Sequence, residues 1–119
     1  MTDPIVTDDL GLGEIVTLLD DEHARSILAA TSAEPLSAAE LGDHCDVSVS
    51  TIYRRVDRLA DAGLLAERTR PRPDGHHETV YVATLDRFEL TVRDGHLDWT
   101  VDRQGTDVAD ELTRLWGRF

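Results

Sequence analysis

Arginine is the residue that could do chemistry in this chain. Arg54, Arg55 and Arg58 form one group and Arg68, Arg70 and Arg72 a second, with only Asp57, Asp61 and Glu67 opposing them between Thr51 and Pro73. That stretch carries +3, whereas everything outside it carries −15 in a chain of net charge −12. A guanidinium is a planar fork of donors that fits phosphate oxygens, or the O6 and N7 acceptors of guanine, two bonds at a time. Ser50, Thr51 and Tyr53 set hydroxyls beside Arg54, which suits contacts to phosphates or base edges. His76 and His77 follow the second group. Such a pattern recognises rather than transforms, and double-stranded nucleic acid matches it. In the competing reading the arginines are solvated charge: Arg54 and Arg58 pair with Asp57 and Asp61 for roughly a few tenths of a kcal/mol each, and the second group keeps an edge hairpin soluble.

Bond-making chemistry finds little support. No nucleophile and base stand in a recognisable constellation, so neither catalysis nor a cofactor is expected. Cys45 is the single cysteine, which excludes an intramolecular disulfide and multi-thiolate metal sites. Its place beside His44 at a predicted turn admits redox sensing, although lone cysteines there are commonly small buried hydrophobes. His76 and His77 with Asp74 or Glu78 supply too few fixed donors for a metal centre, and none is expected. The acid pairs Asp8-Asp9 and Asp20-Asp21 read as caps and solvating charge. Gly11 to Gly13 has too few glycines, and no preceding strand, for a phosphate loop.

The elements that must position the arginines follow from period and capping. Leu10, Leu12, Ile15, Val16, Leu18 and Leu19 predict a short buried helix. Asp20 or Asp21 caps a second, with Ala24, Ile27 and Leu28 at helical spacing before Thr31-Ser32 and Pro35 end it. Ser37, with Glu40 three residues on, forms a capping box for a third. Asp46-Val47-Ser48 breaks the pattern. Ser48 then caps a fourth helix whose Val49, Ile52, Val56 and Leu59 face inward and which closes at Gly63. Two short helices so joined make a helix-turn-helix. Helical geometry turns Ser50, Arg54 and Asp57 outward, with Thr51 and Arg58 less central and Tyr53 and Arg55 on the flanks. A helix over 48–62 with that face fits the major groove of DNA.

From Leu64 the pattern becomes extended. LLAERTR and ETVYVAT surround PRPDGHH and predict a hairpin over 64–84, a wing. Its three arginines alternate onto one side, suited to phosphates or a narrow minor groove. FELTVR and HLDWTV surround Asp94-Gly95, a dipeptide favoured in two-residue type I′ turns. The register that follows pairs Val92 with Leu97, Leu90 with Trp99 and Phe88 with Val101, with all six side chains on one side of the ribbon. The stretch TDVADELTRLWGRF predicts a C-terminal helix, capped by Thr106 or Asp107, with Val108, Leu112, Leu115, Trp116 and Phe119 as its apolar stripe. That stripe covers either its own ribbon or a second copy. Leu90 and Trp99 together with the stripe are the candidate dimer interface, the N-terminal helix being the alternative.

Residues 14–84 resemble the winged helix-turn-helix of ArsR-like transcription regulators of the haloarchaeal type. The likeness is carried by LLDDEHARSILAAT, by LSAAELGDHCDVSVSTIYRRVDRLADAGLL and by the strand that follows, and STIYRRVDRLADAGLL is its most specific phrase. The resemblance implies a homodimeric repressor or activator on a pseudo-palindromic operator, with recognition positions on Ser50, Tyr53, Arg54 and Arg55. Classical members sense metal through paired thiols or acid and histidine clusters; paired thiols are absent here, so metal sensing is not carried over.

Length and composition are consistent with this. A chain of 119 residues, 40% hydrophobic, accommodates one core. The expected fold class is α+β: an acidic, flexible lead-in over 1–9, a winged helix-turn-helix over 10–84, and a second hairpin with the C-terminal amphipathic helix over 85–119. All twelve basic residues are arginine and acids outnumber them two to one. Such a surface resembles that of proteins from salt-accumulating archaea, where molar salt screens self-repulsion; an ordinary acidic protein of a GC-rich genome is the alternative. Without an apolar run of spanning length or a basic N-terminus, no membrane association and a cytoplasmic location are expected. The function expected is sequence-specific DNA binding, and the alternative is a winged-helix module that docks protein and has no specific DNA site.

Overall fold

Each helix begins where the sequence supplies an acceptor or a donor for its first turn. The computed structural model describes residues 10–103. The expected lead-in over 1–9 and the C-terminal helix bearing Val108, Leu112, Leu115, Trp116 and Phe119 lie outside them. In α1 (Leu12–Asp20) the Gly11 N–H donates to Glu14 Oε1 at 3.1 Å. In α2 (Glu22–Ala33) Asp21 Oδ1 accepts from the His23 N–H at 2.9 Å. The expected capping box opens α3 (Ala38–Cys45), where Glu40 N–H donates to Ser37 Oγ at 3.2 Å and Ser37 N–H to Glu40 Oε1 at 2.8 Å. Ser48 Oγ caps α4 (Val49–Asp61) by accepting from the Thr51 N–H at 3.2 Å.

Two local expectations are corrected. Helix α2 runs through Thr31 and Ser32, because their hydroxyls donate back to the Ile27 and Ala29 carbonyls, each at 2.7 Å, instead of competing for the backbone elsewhere. It stops at Glu34, the residue before Pro35, where proline disfavours helical geometry. Val49, the first residue of α4, is 40% exposed rather than part of the inward face, although its side chain lies beside Gly42 of α3.

The core lies among the four helices and one side of the wing. Ile15 and Leu18 of α1, Ala24, Ile27 and Leu28 of α2, Leu41 of α3 and Ile52, Val56 and Leu59 of α4 meet Leu64, Leu65 and Tyr81. Burial of each large member contributes about 1.5–3 kcal/mol. Strands β1 (Leu65–Pro71) and β2 (His77–Ala83) pair antiparallel to form the wing. A bridge between Leu36 and Tyr81, with both backbone hydrogen bonds made, ties the wing to the lead-in of α3.

Strands β3 (Leu85–Arg93) and β4 (His96–Arg103) form a separate hairpin with the expected pairs Val92–Leu97, Leu90–Trp99 and Phe88–Val101. Asp94 and Gly95 have φ of 54° and 78°, as a type I′ turn requires. At the hairpin base Phe88 and Val101 pack on the core, while toward the tip Leu90, Val92 and Leu97 remain 47%, 70% and 53% exposed.

Candidate nucleic-acid interface

The turn between α3 and α4 sets the attitude of the candidate reading helix. Asp46 closes α3 in the left-handed conformation (φ 60°), which Asp tolerates better than most residues, and the Val47 N–H donates to the Gly42 carbonyl at 3.1 Å. Ile52, Val56 and Leu59 are fully buried, so α4 has one possible rotation. That rotation leaves Ser50, Tyr53, Arg54, Asp57 and Arg58 exposed, Tyr53 by 50%. The hydroxyls of Ser50 and Thr51 lie 3.2 and 2.9 Å from Ser48 Oγ, so three hydroxyls gather at the N-terminus of α4.

The C-terminal end of α4 is held by residues distant in sequence. Gly63 takes φ 78°, and its carbonyl accepts from Thr84 Oγ1 at 2.8 Å and from Arg103 Nε at 2.9 Å. Arg103 Nη2 also donates to the Ala62 carbonyl at 3.2 Å. Carbonyls left open at the helix end thus receive a cation where the helix dipole favours one. The base of the second hairpin is thereby joined to the last turn of α4.

The six arginines separate by partner. Arg54 and Arg58 make no side-chain hydrogen bond or ion pair among the described residues, so the pairing with Asp57 and Asp61 considered above is not seen. Arg58 faces a cleft shared with Glu14, Thr17 and Asp61 between α1 and α4. Arg68 is exposed and, among the described residues, donates only to the carbonyl of Glu67, at 2.9 Å. Arg55 is different: its Nε lies 2.7 Å from Asp21 Oδ2, and the two side chains are only 24% and 21% exposed. Arg70 donates to Glu78 Oε1 from Nε and Nη2 (3.2 and 2.8 Å), to Glu40 Oε1 from Nη2 (3.1 Å) and to the Pro35 carbonyl from Nη1 (3.5 Å). Arg72 lies 3.6 Å from Glu78 and 3.9 Å from Asp74. His76 and His77 are exposed, and the His76 N–H donates to Asp74 Oδ1 at 3.0 Å in the loop at the wing tip.

Charge states follow these contacts. Burial pushes the Asp21 carboxyl up, but the His23 N–H and Arg55 outweigh it and hold the group below its usual range. Glu40 is lowered chiefly by the Ser37 N–H and further by Arg70. Tyr81 is raised by burial and by the nearby Glu67, Tyr53 and Asp57, which marks an acidic seam between α4 and the wing. Burial also raises the Cys45 thiol. Among the described residues no group of three or more His, Cys, Asp or Glu side chains could hold a metal ion, and no helix is long and apolar enough to cross a membrane.

Sequence reasoning missed the acceptors that hold Arg55 and Arg70. Asp21 and Glu40 were legible as helix caps, yet nothing in their spacing signals a second partner 34 and 30 residues away. Arg103 had no signal either.

A helix pair with this turn, followed by a hairpin, is a specific arrangement, and residues 19–68 match the family model described as a helix-turn-helix domain. The chain carries a helix-turn-helix. With the wing it forms the expected α+β winged helix, similar in structure to the ArsR-like transcriptional regulator from Rhodococcus sp. RHA1 at a TM-score of 0.54 and 25% identity over 70% of this chain and 69% of that one. Among curated proteins none matches the chain. The matched segment of the winged helix-turn-helix begins at Leu19, two residues before Asp21, and ends at Arg68 in β1.

Proposed function

We propose that the chain is a sequence-specific double-stranded DNA-binding transcription regulator that inserts α4 into the major groove and rests its wing on the backbone or a neighbouring minor groove. The observation that carries this is the outward row of α4, where Arg54, unpaired among the described residues, stands beside the hydroxyls of Ser50, Thr51 and Tyr53. Arg54 is the base-reading side chain and the three hydroxyls fix the helix at phosphates. Arg58, Arg68, Arg72, His76 and His77 complete the contact surface. The likeness to an ArsR-like transcriptional regulator supports the same reading. A duplex selected from a random library by the wild-type protein in KCl provides the test: Arg54→Ala lowers affinity for it at least tenfold relative to a scrambled duplex, about the discrimination of one base pair. Equal loss on both duplexes overturns the assignment of Arg54.

The regulator works as a homodimer on a pseudo-palindromic operator, because one helix reads only a few base pairs and paired half-sites about 34 Å apart are the usual solution. The ribbon tip supports this: among the described residues Val92 and Leu97 expose apolar surface beside Leu90 and Trp99 on one face. Replacing Val92 and Leu97 with aspartate yields a monomer by light scattering; a surviving dimer moves the interface elsewhere. The same ribbon favours the second reading, a protein-docking module, which wins if the wild type binds no duplex at any salt.

The protein is adapted to high salt. With Arg55, Arg70 and Arg72 against protein carboxylates, a dimer offers about six uncompensated arginines, so log affinity falls with log salt by a slope of roughly −5 at most. A steeper slope refutes this part.

A further inference from the structure

We propose that Arg55 and Arg70 are positioning residues, and that the helix-capping carboxylates of Asp21 and Glu40 hold them so as to set the spacing between the reading helix and the wing. The inference rests on the DNA-binding function proposed above. In the sequence these two arginines stand as equals of Arg54 and Arg68; in the fold they do not.

The Asp21 carboxylate is divided between two tasks. Oδ1 accepts the His23 N–H at 2.9 Å and starts α2, which fixes the group in space; Oδ2 accepts Arg55 Nε–H at 2.7 Å and thereby fixes α4. Glu40 does the same for the wing with a single atom. Its Oε1 accepts the Ser37 N–H at 2.8 Å, as the capping box requires, and Arg70 Nη2 at 3.1 Å. Glu78, the cross-strand neighbour of Arg70, and the Pro35 carbonyl complete the grip. Each of the two elements that would meet DNA is thus indexed to the first turn of a different scaffold helix.

A guanidinium compensated in this way adds little net charge toward a phosphate. What it adds is angle. Arg55 follows Arg54 directly on α4, so a change in its seat rotates the base-reading side chain. Arg70 is the last residue but one of β1, so a change in its seat tilts the tip that carries Arg72 and His76. Reading needs both at once, because the groove faces accessible to α4 and to the wing are separated by a fixed length of DNA backbone.

Two variants separate positioning from phosphate contact by the sign of their effect. Asp21→Asn keeps the cap through Oδ1 and turns an amide toward Arg55, since Asn serves as well as Asp at the N-cap; Glu40→Ala removes the Arg70 acceptor and leaves Ser37 Oγ to cap α3, whereas a Gln oxygen would still take both bonds. Both also remove a negative charge from a protein facing a polyanion. If the arginines are phosphate contacts muted by their acids, each variant binds every duplex more tightly and the preference for the selected duplex over a scrambled one is unchanged. With the positioning role, the preference falls about tenfold, as for one misread base pair, while the salt slope stays the same. Arg55→Gln added to Asp21→Asn then has no further effect on preference, because the two remove one contact. Thermal midpoints recorded alongside, within about 5 °C of wild type, exclude a general loss of fold. Should Asp21→Asn unfold, Arg55→Gln reads the same contact from the other side. Unchanged preference with uniformly tighter binding overturns the proposal and leaves DNA binding standing; a wild type that prefers no duplex overturns the DNA-binding function itself.

Discussion

Gly63 offers the most demanding test of how α4 is held. Its φ of 78° is left-handed, and a Cβ there would lie 3.1 Å from Arg103 Nε and 3.3 Å from Nη2. Gly63→Ala therefore incurs two costs. An L-residue in this backbone region costs about 1 kcal/mol. The added methyl also displaces the guanidinium that bonds the Gly63 and Ala62 carbonyls at 2.9 and 3.2 Å. Bonds from a charged donor contribute about 1.5–3 kcal/mol when shielded, but Arg103 is half-buried and Gly63 keeps Thr84 as a partner. A share of about 1–1.5 kcal/mol is at risk, so Gly63→Ala is expected to cost roughly 2–2.5 kcal/mol. Arg103→Ala costs at least that second share by itself. In the double variant it is lost only once, so the double costs about 1 kcal/mol less than the sum of the singles. Urea unfolding in KCl measures each value, with constant slope as the check on two-state behaviour. Additivity within about 0.3 kcal/mol, or a Gly63→Ala cost below about 0.5 kcal/mol, refutes the idea that the glycine makes room for Arg103.

Three further outcomes are expected. Ser48→Ala removes the α4 cap and costs about 1 kcal/mol, whereas Ser37→Ala, at a buried capping box, costs nearer 2 kcal/mol; thermal melts that show the opposite order refute the assignment. Asp21 and Glu40 are depressed in the folded state relative to ordinary values of 3.8 and 4.5, so the stability they contribute is complete above those values and is lost as pH falls through the folded values. Acid unfolding therefore steepens below about pH 4, and Asp21→Asn flattens that limb; an unchanged acid limb argues against the ion pair. Cys45, whose thiol is raised by burial, reacts with iodoacetamide at pH 7.5 more slowly than a free thiol, and a rate equal to that of glutathione refutes its burial.

What was legible in the sequence was local. Ser37 with Glu40, Ser48 at the start of α4 and Asp94-Gly95 in the second turn each act over a few residues, and their rules are written in adjacent positions. The register of β3 and β4 followed from one turn and from alternation. Alternation alone does not describe the wing, because successive residues Val80 and Tyr81 are both buried, Tyr81 within the helical core cluster and Val80 outside it. The basic face was legible as a count but not as a set of free charges. Asp21 and Glu40 lie outside the counted stretch and reach Arg55 and Arg70 only once the chain has folded, so the +3 overstated what faces outward. In the same way, the polar residues Thr31 and Ser32 looked like a helix end until their hydroxyls found carbonyls one turn back.

The grip of Arg103 on the last turn of α4 gives the second hairpin a metrical role. In the proposed dimer a partner seats on the ribbon tip while the reading helix is fastened to the ribbon base, so strand length separates the two. Adding one residue to each strand between the Phe88–Val101 and Leu90–Trp99 pairs would turn the tip's apolar side chains to the opposite face; adding two would restore the face and move the partner outward by about 7 Å. That step is close to two base pairs of DNA, at 3.4 Å each. Operator spacing would then be written in the length of a β-ribbon that itself touches no base.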